Sequence, residues 1–248
     1  MKIAVFPYGR VGNTLTRFIV EAENTAQLFF YLADGDPYLV ATKELLAESR
    51  YTILKKREFK GRKLAEQLSG TDLGILLWFP YILKKHIIES TEHGFINLHP
   101  SLLPYNRGKH PWYWNIVEDT PAGVSIHLVD PDIDCGPVLW QESIHKDIST
   151  TANEIYQKSE SQIVKLFCEH YDDIVNLRLK PIEQNASLAT YHVSSELDKH
   201  SEIKLDSLYT ARQLINIIRA RTLPGPSAFF YEDGKKYEVR IDIRCIHE

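Results

Sequence analysis

The stretch Gly94–Gly108, GFINLHPSLLPYNRG, joins a short apolar strand to a loop that contains two prolines. Side chains of a strand alternate between its two faces, so Asn97 and His99 are expected on the same face. The stretch therefore predicts a strand that presents an amide and an imidazole together, close to the point where the loop begins.

Proline restricts the backbone of this loop. Pro100 and Pro104 fix their own φ angles and favour extended conformations for the residues that precede them. Further along, Arg107 places a forked cation beside Gly108, which has no Cβ atom to limit close backbone approach. We expect the loop to form a rigid rim around a reacting centre that begins at His99.

Strands and helices alternate upstream of this stretch. The segments are predicted strands at Lys2–Phe6, Gln27–Leu32 and Leu73–Phe79, and predicted helices at Thr14–Ala22, Thr42–Glu48, Lys60–Leu68 and Lys84–Ser90. The alternation predicts an α/β fold with an open, mostly parallel, Rossmann-like sheet flanked by helices. Sites in such sheets lie beyond the carboxyl ends of the strands.

Two glycines, Gly9 and Gly12, follow the first predicted strand. They lack the complete dinucleotide-binding fingerprint, so the pattern favours simple packing of a strand against a helix. A contact with the nucleotide part of a substrate is the alternative. Downstream, Gly123–Val129 and Val138–Ile144 alternate as strands and predict a hairpin around the acidic loop Asp130–Pro137.

The last third of the chain predicts two helices and a hairpin. Thr151-x-x-Glu154 is a capping box that predicts the start of a helix. The apolar stripe that follows predicts a length of about 27 residues. Thr210-x-x-Gln213 opens a second helix that Pro224-Gly225-Pro226 ends, and Asp233-Gly234 predicts a hairpin turn. The predicted organisation is a domain over 1–182, a linker over 183–205, and a small C-terminal helix and β-hairpin over 206–248.

Composition limits the class of protein. The 248 residues carry a formal net charge of -4, which gives no global attraction to nucleic acid. Three scattered cysteines and the absence of metal-ligand histidine spacings argue against a disulfide framework and against a metal site. The chain opens on a predicted strand, without a signal peptide or a membrane-spanning run, so a cytoplasmic location and no membrane partner are expected.

The motifs of the chain resemble those of a known family. They are Asn97-x-His99-Pro-Ser-Leu-Leu-Pro, Arg107-Gly108, Gly123-Val-Ser-Ile-His127 and Asp134-x-Gly-Pro-Val. Their order resembles the signature of formyltransferases that take a formyl group from N10-formyltetrahydrofolate. The resemblance implies that 1–182 is a folate-dependent catalytic domain and that Asn97, His99 and Asp134 are its catalytic residues.

Formyl transfer between two nitrogens passes through a tetrahedral oxyanion, which defines three tasks. We expect the Asn97 amide to donate to the oxyanion. His99 is expected to accept the amine proton. Asp134 is expected to orient that imidazole or to relay a proton through water. His127 is expected either to be structural or to support Asp134 without touching substrate, and Cys135 to be no more than a small side chain.

The resemblance also implies binding residues. Those for the folate are Trp78, Phe79, Pro80, Tyr81, Ile82 and Asp130, and those for the acceptor are Tyr105, Arg107, Gly108, Lys109 and Trp112. Aromatic residues at a strand end also fit a core, and the two cations also fit a solvated surface, so both alternatives stay open.

Three acceptors fit this catalytic core: glycinamide ribonucleotide, methionyl-tRNA, or a nucleotide-linked amino sugar. The C-terminal extension argues against the first, and the acidic chain lacks the basic barrel of the second. The aromatic segment Lys109–Trp114 resembles sugar N-formyltransferases of surface polysaccharide (O-antigen, lipopolysaccharide) synthesis. The favoured acceptor is dTDP-4-amino-4,6-dideoxyglucose, then a 3-amino isomer; a formyltetrahydrofolate hydrolase is the alternative of another class. The apolar C-terminal faces predict a homodimer.

Overall fold

The computed structural model describes residues 1–22, 26–47, 50–222 and 227–246. The chain divides into two compact units. The first consists of Met1–His99, Ser125–Gln141 and Gln162–Gln184, and the second of Pro100–Val124, Glu142–Ser161 and Asn185–Glu248. Each unit is therefore assembled from three separate segments of the chain.

Strands and helices alternate along the described residues. The strands are β1 (Lys2–Pro7), β2 (Gln27–Ala33), β3 (Tyr51–Leu54), β4 (Leu73–Leu77), β5 (Phe95–His99), β6 (Arg107–Gly108), β7 (Ala122–Leu128), β8 (Val138–Ile144), β9 (Tyr191–His192), β10 (Ala228–Glu232) and β11 (Lys235–Val239). The α-helices are α1 (Gly9–Glu21), α2 (Leu39–Glu44), α3 (Arg62–Leu68), α4 (Lys85–Ile88), α5 (Pro111–Val117), α6 (Ala152–Val175), α7 (Ser194–Ser201) and α8 (Ala211–Arg219). Among the described residues, none of these helices is long and apolar enough to cross a bilayer.

A seven-stranded sheet in the order β3-β2-β1-β4-β5-β7-β8 organises the first unit. The pairs from β3 to β5 are parallel, and β7 joins β5 antiparallel. Strand order reverses between β1 and β4, which makes the carboxyl ends of these strands the topological switch point. The mostly parallel, Rossmann-like sheet confirms the predicted fold class.

The start of α1 differs from the prediction. The helix begins at Gly9 rather than at Thr14, so both glycines lie in its first turn. A Cβ atom on Gly12 would lie 2.9 Å from the carbonyl carbon of Pro7, closer than packed atoms approach. Gly12 thus permits α1 to pack directly against the end of β1, as the simpler interpretation expects.

The strand β3 is absent from the predicted elements, and the next helix is displaced. β3 is a four-residue edge strand whose second and third residues are exposed, so it shows no apolar alternation. The predicted helix Thr42–Glu48 corresponds to α2, which begins at Leu39 and ends at Glu44, while Glu48 lies outside the described residues. A short edge strand buries too little surface to leave a pattern in the sequence.

The second unit contains most of the predicted C-terminal elements. α5 begins with Pro111 in its first turn, and the α8 capping box forms, with Thr210 N donating to Gln213 Oε1 at 2.9 Å. β10 and β11 pair antiparallel around Asp233-Gly234. The predicted helix break at Pro224-Gly225-Pro226 lies outside the described residues.

The predicted linker 183–205 contains β9 and α7. β9 pairs with β6 in parallel, and Asn185 accepts a hydrogen bond from Ser187 N at 3.1 Å at the start of a 3₁₀ turn. A two-residue strand and a largely polar helix leave no apolar period, which is why the sequence indicates only a linker here.

Candidate active site

Four polar side chains of the first unit come together at the carboxyl end of β5. Asn97 and His99 lie on one face of β5, and the antiparallel neighbour β7 places His127 opposite Asn97. The loop after β7 adds Asp134, whose oxygens lie 3.5 Å from Nδ1 of His99 and 3.7 Å from Nε2 of His127. We call Asn97, His99, His127 and Asp134 the polar cluster.

The bonds of His127 fix the orientation of the Asn97 amide. Nδ1 of His127 lies 2.8 Å from the carbonyl oxygen of Leu128, and a carbonyl can only accept, so Nδ1 carries the proton. Nε2 of the neutral ring then accepts, and Nδ2 of Asn97 donates to it at 3.1 Å. One amide N–H of Asn97 is committed to His127, and the second is the one that can donate to a substrate.

His99 and Asp134 form a buried imidazole–carboxylate pair. The His99 side chain is 6% exposed and that of Asp134 14% exposed, and the 3.5 Å separation is ion-pair range rather than a hydrogen bond. A carboxylate in a poorly solvated place stabilises positive charge on the imidazole beside it more strongly than one in water does. Nδ1 is the ring nitrogen that faces Asp134, and Nε2 lies on the other side of the ring.

The loop that carries Asp134 has a constrained backbone. Asp134 has φ 53°, in the left-handed region that L residues seldom occupy. Gly136 follows two residues later, where a Cβ atom would lie 1.9 Å from the carbonyl oxygen of Leu128, so only glycine fits. Leu128 N also donates to Pro137 O at 2.9 Å, which closes the loop against the end of β7.

Comparison with known proteins identifies the family. A family model described as formyl transferase matches residues 21–170, more than half of the chain. This chain belongs to the formyl transferase family. A second model, described as the N-formyltransferase dimerization C-terminal domain, matches residues 196–245.

Individual formyl transferases resemble the chain in different ways. It is 29% identical over 206 residues to a methionyl-tRNA formyltransferase of Fusobacterium nucleatum, covering 81% of this chain and 65% of that protein. It therefore spans about two thirds of that relative's length. A 4-N formyltransferase from Francisella tularensis superposes with TM-score 0.83 at 27% identity, over 99% of this chain and 98% of that one.

A third protein of known structure has the same fold. An N-formyltransferase from Helicobacter canadensis, solved in complex with folinic acid and dTDP-3-aminofucose, superposes with TM-score 0.69 at 17% identity. The superposition covers 98% of this chain and 96% of that one. Both solved structures thus match nearly the whole chain, including the segment after α6.

The residues expected to bind the folate follow β4 in the first unit. Trp78 directly follows β4 and has φ 61°. The next ring, Phe79, packs edge-on against Phe59 with 4.9 Å between ring centroids. Tyr81 joins the same aromatic cluster, whereas the Ile82 side chain is 50% exposed. Phe79 and Tyr81 therefore form part of the core wall, as the alternative interpretation expects.

Pro80 and Asp130 complete this set. Pro80 is half-buried, between the two aromatic rings of the segment. Asp130 is exposed, and its Oδ1 accepts a hydrogen bond from Asp132 N at 3.0 Å, so it shapes the turn that leads to Asp134.

The residues expected to bind the acceptor lie in the second unit. Arg107 and Gly108 form β6, and at Gly108, with φ 89°, a Cβ atom would lie 2.3 Å from the carbonyl oxygen of His192. The close approach that requires this glycine is therefore made by β9 of the same chain. Lys109 is exposed although its N–H donates to His192 O at 3.0 Å.

Tyr105 and Trp112 are half-buried in the second unit. The carbonyl oxygen of Tyr105 accepts from Ser101 Oγ at 2.8 Å, which tightens the proline loop. Trp112 packs edge-on against Tyr156, with 4.9 Å between ring centroids. A partly exposed pair of aromatic rings suits a nucleobase or a deoxysugar.

Metal ligation and cysteine chemistry find little support in the described residues. No group of three or more His, Cys, Asp or Glu side chains among residues 1–22, 26–47, 50–222 and 227–246 could hold a metal ion. The Cys135 thiol donates to the carbonyl oxygen of Ile133 at 3.3 Å, so it takes part in the turn of the Asp134 loop.

Gln184 contacts the site and was not among the predicted residues. Its Nε2 donates to the carbonyl oxygens of Asp134 at 2.9 Å and Gly136 at 2.6 Å. The surrounding Gln-Asn-Ala-Ser run reads as linker, and no spacing in the sequence relates it to residue 134. Only the folded first unit brings the two segments together.

Proposed function

We propose that the chain transfers the formyl group of N10-formyltetrahydrofolate to the amino group of a nucleotide-linked amino sugar. The observation that carries the formyl-transfer part is the polar cluster in a chain of the formyl transferase family. The amide, imidazole and carboxylate supply an oxyanion donor, a proton acceptor and a group that stabilises the charged imidazole.

The proposed reaction accounts for each bond that forms or breaks and for the transferred proton. The amine nitrogen of the acceptor bonds to the formyl carbon, and the carbonyl oxygen gains negative charge that the second N–H of Asn97 stabilises. His99 Nε2 takes the amine proton while Asp134 stabilises the imidazolium. The bond between the formyl carbon and N10 then breaks, and His99 returns its proton to N10, which gives tetrahydrofolate.

Binding of the folate is proposed at the carboxyl ends of β4 and β5, near the switch point of the sheet. The exposed Ile82 and the neighbouring Trp78 and Pro80 would contact the flat ring system, over the wall that Phe79 and Tyr81 form. Asp130 would receive a polar edge of the ring. The Helicobacter protein, which carries folinic acid, supports a folate as the formyl donor in this family.

A nucleotide-linked sugar is the proposed acceptor because residues 196–245 match the N-formyltransferase C-terminal domain. The related Helicobacter protein is bound to a dTDP-linked amino sugar, and the Francisella protein is a 4-N formyltransferase. We therefore propose dTDP-4-amino-4,6-dideoxyglucose, with Tyr105, Arg107, Lys109 and Trp112 as contacts, in cytoplasmic synthesis of surface polysaccharide. Gly108 would permit the pairing of β6 with β9 next to these contacts.

Methionyl-tRNA is the second candidate acceptor, since the Fusobacterium relative carries that activity in its name. The two candidates separate in one competition assay, with initiator methionyl-tRNA and a panel of dTDP- and UDP-linked amino sugars offered at equal concentration. We expect a product heavier by one formyl group among the sugar nucleotides. Formylated tRNA without any formylated sugar would overturn the sugar proposal and leave the formyl-transfer proposal intact.

A homodimer is proposed from the C-terminal hairpin. Tyr231 and Tyr237 on β10 and β11 are 51% and 43% exposed, and the matching C-terminal model is described as a dimerization domain. Multi-angle light scattering is expected to give twice the 28.6 kDa of one chain. The pair of substitutions Tyr231→Glu and Tyr237→Glu should give monomer, whereas Tyr38→Glu in the first unit should not. A monomeric wild type would contradict the proposal.

A further inference from the structure

Gln184 clamps the main chain immediately after Asp134. A side-chain amide nitrogen has two hydrogens, and Nε2 of Gln184 directs them at two carbonyl oxygens, those of Asp134 at 2.9 Å and Gly136 at 2.6 Å. Both acceptors belong to a three-residue turn whose middle residue is Cys135. One amide therefore ties the two sides of this turn together.

The backbone of the turn has an uncommon conformation that these bonds restrain. Asp134 has a left-handed φ of 53°, which aspartate adopts more readily than most residues with a Cβ atom but which is still less favourable than the right-handed region. Within the turn itself, Cys135 N donates to Asp132 O at 3.5 Å, a long bond. The two bonds from Gln184, at 2.9 and 2.6 Å, are shorter than that bond and restrain the same turn.

The position of the Asp134 carboxylate depends on that conformation. Its two oxygens lie 3.5 Å from Nδ1 of His99 and 3.7 Å from Nε2 of His127, both beyond hydrogen-bond length. At 3.5 Å the carboxylate is still close enough to stabilise positive charge on the His99 ring. Since the side chain leaves a left-handed residue, relaxation of φ toward an ordinary value would swing the carboxylate away from both rings. Displacements of about 1 Å in a catalytic group can lower a rate by about 10²-fold.

Gln184 is itself held in place by β8. Ile182 and Val138 exchange two backbone hydrogen bonds of 2.8 Å, so the segment enters the site as a short antiparallel extension of the sheet. Two residues further, the half-buried Gln184 side chain reaches the turn. The amide is thus pre-positioned on the sheet and does not have to be ordered by substrate.

We propose that Gln184 is a positioning residue that holds the Asp134 carboxylate against His99. The inference rests on the proposed function, since the consequence of losing the clamp is slower formyl transfer. Gln184 touches neither substrate nor the reacting atoms in this proposal, and it acts through Asp134 alone.

The test compares Gln184→Met, which keeps the length of the side chain and removes both donors, with Glu183→Met at the exposed neighbouring position. We expect kcat to fall about 10- to 100-fold in Gln184→Met, with KM for both substrates little changed. Glu183→Met should behave as wild type. Gln184→Glu has a side chain of similar size, but it places carboxylate oxygens, which can only accept, against two carbonyl oxygens. Its kcat should therefore be lower than that of Gln184→Met.

Two further measurements separate positioning from general stability. In the background of Asp134→Asn, Gln184→Met should cause little additional loss of kcat, because two changes that act through one carboxylate are not additive. The imidazole nitrogen chemical shifts of His99 and His127 should move in Gln184→Met in the same direction as in Asp134→Asn, and should not move in Glu183→Met. The chemical shifts show whether Gln184 holds Asp134 in place, even if a given variant, or the wild type, has no transferase activity.

The outcomes are distinct. Equal losses of kcat in the wild-type and Asp134→Asn backgrounds, or histidine shifts that stay unchanged in Gln184→Met, would overturn the positioning role. A wild-type protein without formyl transfer would overturn the proposed function, while the histidine shifts would still decide whether Gln184 holds Asp134 in place.

Discussion

Replacing His99 by asparagine is expected to lower kcat for formyl transfer by about 10²–10⁴-fold, the range that general acid–base catalysis contributes. Asparagine keeps a polar group of similar reach on the same face of β5, yet it has no nitrogen that binds and releases a proton near neutral pH. Substrate contacts lie mostly on other residues, so KM should change little. Steady-state kinetics with the folate and the accepted sugar nucleotide measure both constants.

A matched control exists for this substitution within the first unit. His170 also places Nδ1 3.5 Å from a carboxylate oxygen, that of Asp173, and its ring stacks on Trp140 at 4.4 Å. His170→Asn therefore removes the same kind of ion pair outside the polar cluster, and it should leave kcat at the wild-type value. A His99→Asn protein that folds and turns over like wild type would contradict the assignment of the base.

The second large effect is expected at Asn97. Asn97→Ala removes the N–H that stabilises the developing oxyanion, and loss of one such donor costs about 10²–10³ in kcat. The substitution also takes a partner from Nε2 of His127, which Asn97 Nδ2 contacts at 3.1 Å. Asn97→Asp, which has the same size and lacks the amide donor, is expected to lose at least as much activity as Asn97→Ala.

An amide elsewhere provides the control for Asn97. Asn176, just past the end of α6, donates from Nδ2 to the carbonyl oxygen of Asp172 at 2.7 Å and to its Oδ1 at 2.9 Å. Asn176→Ala therefore also removes side-chain amide hydrogen bonds. We expect Asn176→Ala to affect the melting temperature at most, and to leave kcat unchanged. If Asn97→Ala raised KM and kept kcat, Asn97 would bind the ground state rather than the transition state.

The core of the site follows from the sequence because it is local to two strands. Alternation on β5 puts Asn97 and His99 on one face, and the pairing of β7 with β5 then places His127 opposite Asn97 and Ser125 opposite His99. The capping box of α8 and the turn at Asp233-Gly234 were also predicted from the sequence. The capping box and the turn each depend on residues within a few positions of one another, whereas the pairing that brings His127 beside Asn97 joins residues 30 positions apart.

Contacts between segments far apart in the chain could not be predicted from the sequence. Gln184 meets the carbonyl oxygen of Asp134 across 50 positions, and β9 meets β6 across 84. The sequence indicated that Gly108 permits close backbone approach, and the structure shows that His192 of the same chain makes such an approach. A pattern shows that close approach is required and does not show which group approaches.

The orientation of side-chain donors also required coordinates. The sequence left His127 either structural or supporting Asp134, and the geometry adds a contact with Asn97 that fixes which amide hydrogen remains for substrate. Phe79 and Tyr81 were predicted to contact the folate, with a core position as the alternative, and their ring contacts place them in the aromatic cluster. Residue type alone does not separate these alternatives.

The proposed chemistry is tested most directly by following a labelled formyl group in a single turnover. The protein would be mixed with N10-[¹³C]formyltetrahydrofolate and an amino-sugar nucleotide, and the carbon followed by NMR and mass spectrometry, with and without the acceptor. We expect the label on the amino nitrogen of the sugar, one tetrahydrofolate per formylated product, and no release of folate product without the acceptor. Labelled formate formed at the same rate whether or not an acceptor is present would contradict formyl transfer and would indicate a hydrolase.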